Sequence, residues 1–386
     1  MLTADGCTTR RDRLWERLPE QIEWVLVADP RHVHYLSGFW INPLSFSAGE
    51  RSRLLLDRRH GATLIADNFA RRSAVATPHV DREETVTWYD HHRSVENRDR
   101  ALLEGLKRTL SELTGRPGLI DADWCSPAER ALLRDAGLDV HLHCPDALTL
   151  GDLLRILRRQ KLPDELRLLQ TCMDAGAAGQ RAGLQAVRAG VSEFDVYREI
   201  HRSVLEAAAT PCLLYGDFRA VSPEVPKAGG LPTGHVLADG ELMILDFSVV
   251  IAGYRSDFTN TVAVGTPTAE QTRLFETCCR ALAAGESKLL PGTPASDVFH
   301  AVSSVLEEAG YGPLRHHAGH GIGLAHPEPP IFVENSRDVL QVGDVVTLEP
   351  GAYVEGIGGV RVEHNYLVTD SGPQRLSEHQ LRLSTS

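Results

Sequence analysis

Nowhere does the sequence hold an apolar run approaching the length needed to cross a bilayer, so no membrane-spanning role is expected. Its first residues, Met-Leu-Thr-Ala-Asp-Gly-Cys, lack the charged start and apolar stretch of a secretory signal. Cysteine is sparse: seven residues, an odd number without regular spacing, do not make a disulfide framework. Cys278 and Cys279 stand side by side in a helix-like stretch and read as buried thiols rather than nucleophiles. The cytoplasm is therefore the expected compartment. Positive charge is also in deficit, and a net charge of −12 argues for solubility and against nucleic acid as a partner. There is no Gly-x-Ser-x-Gly elbow and no phosphate loop, and the glycines around His320 lack the later acid of a dinucleotide fingerprint.

What is present is a chain of 386 residues, 42% apolar, enough for two domains with proper cores. Strands and helices alternate through residues 1–150. A helix is predicted over 10–18, a buried strand over 23–28, and a helix from Pro30 to near Gly38. Strand-like runs follow at 52–56, 62–66 and 85–89, then a helix at 98–113, a strand at 118–121, a helix at 126–135 and a strand at 137–142. This pattern is that of an α/β domain with a largely covered sheet. His91 and His92 read as a solvated loop, and Phe39–Trp40 as core, dimer interface or the border of a partner's site. A polar link at 145–163 precedes a helix that Pro163, Asp164 and Glu165 start and Gly190 stops after about Arg188.

Residues 151–386 carry a weak internal repeat. Gly190-Val-Ser-Glu-Phe-Asp-Val-Tyr lines up with Gly292-Thr-Pro-Ala-Ser-Asp-Val-Phe, and the match runs on through Ile200/Val302, Val204/Leu306, Glu206/Glu308 and Ala207/Ala309. Each copy opens an amphipathic helix, and each is followed by strand-like runs bearing two acids: Asp246 and Asp257, then Glu349 and Glu363. With His320 they form a set beside apolar runs, where unpaired charge is costly and buried charge is normally paired or bound to metal. Arg361 is the one obvious fixed cation nearby, so two divalent ions would balance the four carboxylates. Such a pair can activate a shared water and stabilise a developing oxyanion. Oxygen donors with one imidazole suit Mn, Fe, Co or Zn. Two αβ halves facing each other across a metal pair are the simplest fold for this pattern.

At these residues the chain resembles the pita-bread metallohydrolases: methionine aminopeptidase, aminopeptidase P, prolidase and creatinase. The words that carry the resemblance are Ser-Asp-Phe-Thr around Asp257, Gly-His-Gly-Ile-Gly-Leu around His320, Glu-Pro-Gly from Glu349 and Gly-Gly-Val-Arg-Val-Glu before His364. Ala-Asp-Pro-Arg-His-Val-His-Tyr-Leu-Ser-Gly-Phe-Trp extends it to the N-terminal domain of prolidases and creatinase. It implies an α/β (α+β) fold with a creatinase/prolidase-like domain over 1–150 and a pita-bread catalytic domain over 151–386. It also implies metal ligands Asp246, Asp257, His320, Glu349 and Glu363, proton transfer by Glu349, a supporting role for Arg361, Thr259 on the Asp257 carboxylate, and a homodimer.

Two positions depart from the family. Gly229 stands where the peptidases have a histidine well before the first Asp, and His235 nearby reads as a surface residue. Pro327 occupies the other histidine position, with His326 one residue early. His326 is therefore a candidate oxyanion donor that a one-residue shift in a loop need not displace. The expected activity is hydrolysis of Xaa-Pro dipeptides or N-terminal Xaa-Pro bonds by a metal-bound hydroxide. The alternatives are hydrolysis or elimination on a small non-peptide metabolite, of the creatinase, ectoine hydrolase or dimethylsulfoniopropionate lyase kind, and a non-catalytic binding protein.

Overall fold

Every residue of Trp24–Val27 is buried, the pattern of a strand covered on both faces. In the computed structural model of the protein, which describes residues 1–45, 52–92, 97–144 and 146–384, this strand lies inside a six-stranded mixed sheet. The order is Arg82–Val86, Gly61–Asp67, Ser52–Asp57, Trp24–Val27, Gly118–Ile120, Val140–His141. The two joins of Ser52–Asp57 are antiparallel and the others parallel. Leu102 and Leu106 of the Arg98–Thr109 helix close the core with Trp24, Leu26 and Ile65. Gly118, opposite Trp24 in the ladder, has no room for a side chain: a Cβ there would stand 2.0 Å from the indole ring.

Several boundaries differ from expectation for local reasons. The strand expected at 85–89 ends at Val86, because the Asn68 side chain takes the next backbone groups, accepting from Trp88 N (2.9 Å) and donating to Tyr89 O (2.8 Å). The first helix begins at Ala4, where the Thr3 hydroxyl caps Gly6 N. Pro145, at the start of the expected link, lies outside the described residues. The link itself contains the helix Leu150–Leu157, started by a Thr149–Asp152 capping box and packed on Ala4–Arg17. The first unit therefore runs through Arg158 and the second spans Arg159–Ser386. Phe39 is buried within the first unit, and Trp40 is half-buried against the His34 ring. His91 and His92 are exposed in a bend.

In the second unit the helix Pro163–Ala186 starts as read, with Pro163 in its first turn and Glu165 accepting from Leu162 N at 2.9 Å. It lies on the strand Leu242–Ile251, which pairs antiparallel with Leu213–Val221 on one side and Phe258–Ala263 on the other. The second half repeats this arrangement. The helix Ala269–Glu286 precedes Gly319–Gly321, Val345–Leu348 and His364–Thr369, antiparallel in that order across the sheet. The repeat extends to backbone detail. Gly190 and Gly292 both take left-handed φ (+85° and +86°), and their N–H groups donate to Leu237 O and Leu340 O. Gly183 and Gly285 both meet a sheet residue and a helix residue where a Cβ would stand. Among the described residues, no helix is long and apolar enough to cross a membrane.

Candidate metal centre

The strands bring the acids of both halves to one place. Asp246 is in mid-strand in Leu242–Ile251, Asp257 immediately precedes Phe258–Ala263, Glu349 follows Val345–Leu348 and Glu363 precedes His364–Thr369. Acids at strand ends escape the ladder while their backbones stay pinned; Glu363 N, for example, donates to Thr259 O at 2.9 Å, tying the halves together. His320 lies between Asp257 and Glu349, its Nε2 3.7 Å from Asp257 Oδ2 and 3.4 Å from Glu349 Oε1. Its Nδ1–H donates to Gly321 O at 2.9 Å, which leaves the Nε2 lone pair facing the carboxylates.

Two more imidazoles flank His320. His326 Nε2 is 2.7 Å from Asp257 Oδ2, so the residue displaced by one position still faces the cluster. His317 Nδ1 is 3.2 Å from Glu349 Oε1. The sequence reading missed His317, since an imidazole three residues before a ligand in a turn follows no strand or helix period. Ser248 Oγ donates to Asp257 Oδ1 at 3.3 Å. Thr259, expected on Asp257, instead donates to Glu363 Oε2 at 2.6 Å, and Thr347 donates to the other oxygen of the same carboxylate. The reason is geometric: Thr259 pairs with Asp246 in the ladder and faces the second half. Arg361 contacts Asp246 and, at 3.3 Å, Asp217. His235 is exposed and bound to Glu241 at 2.9 Å, away from the cluster.

The electrostatics are those of anions short of countercharge. Burial pushes Asp246 upward, with Asp257 and Glu349 adding to the push and Arg361 opposing it. Burial also raises Glu363 well above the usual carboxylate range, reinforced by Asp257, Glu349 and Asp246. For Glu349 burial acts in the same sense but is outweighed by His317 and His320, and the carboxyl is held low. Burial lowers His320, which favours the neutral imidazole that metal binding requires. Donor atoms converge in three groups, each within 4.8 Å: Asp246, Asp257 and Glu363; His317, His320 and Glu349; and Asp257, His320 and His326. Convergent oxygen and imidazole donors, most of them buried, with one guanidinium among them fit divalent metal ions.

The cluster opens into a pocket of about 300 Å³ that Tyr215, Asp217, Phe247 and Ser248 also line. A larger groove of about 520 Å³ runs along the first-half helices. It holds none of the clustered groups, and its Arg198 and Arg202 are paired with acids of their own helix.

Residues 167–370 match metallopeptidase family M24, and residues 10–158 match the creatinase/prolidase N-terminal domain. An uncharacterized peptidase of Staphylococcus aureus (strain USA300) is 29% identical over 233 residues, 59% of this chain and 65% of that protein. The fold is similar to that of an Xaa-Pro dipeptidase from Bacillus anthracis, with TM-score 0.79 and 24% identity over 98% of this chain and 99% of that one. It is also similar to an X-Pro aminopeptidase from Thermotoga maritima MSB8, with TM-score 0.77 and 19% identity over 97% and 99%. With more than half its length inside the family match and the convergent donors in that half, the chain belongs to metallopeptidase family M24.

Proposed function

We propose that the protein is a dinuclear metal-dependent hydrolase acting on Xaa-Pro dipeptides or on N-terminal Xaa-Pro bonds. The observation that carries this reading is the convergence of Asp246, Asp257, His320 and Glu349 on one pocket, with Glu363 buried beside Asp246 and Asp257, in a chain of this family. When bound, a pair of divalent ions such as Mn, Co, Zn or Fe supplies water activation and polarisation of the scissile carbonyl. Glu349, at the pocket wall between His317 and His320, accepts the proton of the attacking water and returns it to the leaving nitrogen. In this reading His326, whose side chain is a third exposed and whose Nε2 lies 2.7 Å from Asp257 Oδ2, serves as the donor to the developing oxyanion. Arg361 holds Asp246 from below, with its own Nη1 donating to Tyr353 OH at 3.3 Å.

Metal analysis combined with a panel of Xaa-Pro dipeptides and longer Xaa-Pro peptides tests this reading. Two metals per chain and turnover of at least one class are expected. A metal-loaded protein that turns over none of them favours the second reading, a small non-peptide metabolite as substrate. That second reading draws on Gly229, where the Asp217 carboxylate rather than an imidazole fills the pocket wall. The expected assembly is a homodimer in the cytoplasm, and sedimentation of a monomer at micromolar concentration would remove the dimer.

A further inference from the structure

The repeat reaches one residue outside the five-ligand set. Gly216 and Gly319 share an unusual backbone angle, φ +152° and +150°. In both, a neighbouring strand's carbonyl oxygen lies where a Cβ would stand: Asp246 O at 2.1 Å and Thr347 O at 1.9 Å. Glycine is required at both places, so the residues that follow them, Asp217 and His320, are counterparts. The same separation in sequence divides Asp246 from Glu349. The first half thus carries an acid where the second half carries its imidazole ligand.

Asp217 is held by design of its surroundings. It sits opposite Asp246 in the ladder. Its Oδ1 accepts from Gly230 N at 2.5 Å, and a Cβ on Gly229 would come within 2.9 Å of Oδ2. That Oδ2 is 3.3 Å from Arg361 Nη2, the same nitrogen that contacts Asp246. The Arg361 side chain is only 13% exposed. Among the described residues its Nε has no hydrogen-bond partner, and Asp246 and Asp217 are the carboxylates at salt-bridge distance from it.

We propose that Asp217 is a positioning residue of the metal centre, the counter-ion that keeps Arg361 seated when Asp246 gives its charge to a metal ion. The inference rests on the dinuclear reading above. A guanidinium keeps its charge throughout the working pH range. Without metal, Asp246 neutralises it. With metal, Asp246 is shared between the guanidinium and a dication, and a buried cation left without its own anion is strongly disfavoured. Asp217 supplies that anion without ligating, and Gly229 is small so that its carboxylate can lie there.

The test is calorimetric titration of metal-free protein with Mn²⁺ alone, for the wild type, Asp217→Asn, Asp217→Glu, Arg361→Met and the double variant Asp217→Asn/Arg361→Met. Wild type binding two ions is expected. Asp217→Asn should weaken one site by about tenfold, the scale of a lost outer partner of a ligand. Asp217→Glu, which keeps the charge, should recover most of that loss. The unfolding midpoint of the metal-free Asn variant should match wild type, because Arg361 then still has Asp246. In the Arg361→Met background the Asn substitution should add nothing, since no cation remains to be balanced. Three results overturn the proposal: unchanged Mn²⁺ affinity in Asp217→Asn, an undiminished loss in the Arg361→Met background, or an equal destabilisation of the metal-free protein. A wild type that binds no Mn²⁺ overturns the metal-centre reading itself, and this inference with it.

Discussion

The two halves of the second unit share a backbone and differ in chemistry. The first half brings acids to the centre: Asp246, Asp257 and Asp217. The imidazoles His317, His320 and His326 all belong to the second half, with Glu349 and Glu363. Backbone devices that set the close approach of neighbouring strands recur in both, as at Gly216 and Gly319, while the side chains aimed into the pocket do not. The difference teaches that the repeat conserves how the strands are held and leaves free what they present. An all-acid half facing a half that mixes acids with imidazoles suits the proposed metal chemistry, in which the second side can also move protons.

Asp257→Asn breaks the comparison most severely, because it removes a charge that contacts imidazoles of the other half. We expect kcat to fall by about a thousandfold and metal content to drop; full turnover with two metals bound would take Asp257 out of the site. His326→Ala removes an imidazole and leaves the ligands in place. A loss of about a hundredfold in kcat with metal content nearly unchanged is expected, whereas a loss under about threefold would make His326 a surface group and favour the small-metabolite reading.

The helices sharpen the comparison by stability instead of activity. Gly176, Gly179 and Gly183 face the sheet in the first half, where the second half has Cys278, Ala281 and Gly285, all buried. A Cβ on Gly176 would meet the Phe258 ring at 2.0 Å, while one on Gly285 would first meet the Val302 Cγ2 methyl at 2.7 Å. Urea unfolding should therefore show Gly176→Ala costing about 3 kcal/mol and Gly285→Ala about 1 kcal/mol; equal costs would mean that the halves pack alike.

One further effect depends on pH. Glu193 is buried at the start of its helix, accepting from Thr233 N (2.8 Å), Thr233 Oγ1 (2.6 Å) and Ala220 N (2.8 Å), where the second half has Ala295. Burial opposes its charge, but these donors and Arg219 outweigh it and hold the carboxyl below its usual value. A lowered folded-state value means stability that is present above the unfolded-state value and lost as pH falls through the folded one. Glu193→Gln should cost about 2 kcal/mol near pH 7, and wild type and variant should converge in acid once the pH falls below the lowered folded-state value. A gap that persists there would assign the effect to packing.

Much of this cluster is legible in the sequence because its residues sit in or beside strand-like runs within fixed short words, and Asp246, Asp257, His320, Glu349 and Glu363 come together where the strand pattern puts them. Asp217 was readable in principle, since Gly216-Asp217 precedes Gly319-His320 by the interval that separates Asp246 from Glu349. In the sequence the repeat shows along its helices, where apolar periodicity makes it visible, and in the paired acids of the strands that follow. His317 and Ser248 had no such signal, for turns and cross-strand donors are set by tertiary approach. The helix Leu150–Leu157 goes with the first unit through its packing on the first helix and through Tyr35 OH, which donates to Leu157 O at 3.2 Å, contacts that only the fold brings about.

All seven cysteines are free, and burial raises Cys172 and Cys278 to about 12. At neutral pH these thiols are closed to alkylating reagents as long as their surroundings stay shut. Cys172 lies under the first half and Cys278 under the second. With Cys212 and Cys279 replaced, the rate at which Cys172 and Cys278 become labelled measures how often each half breathes.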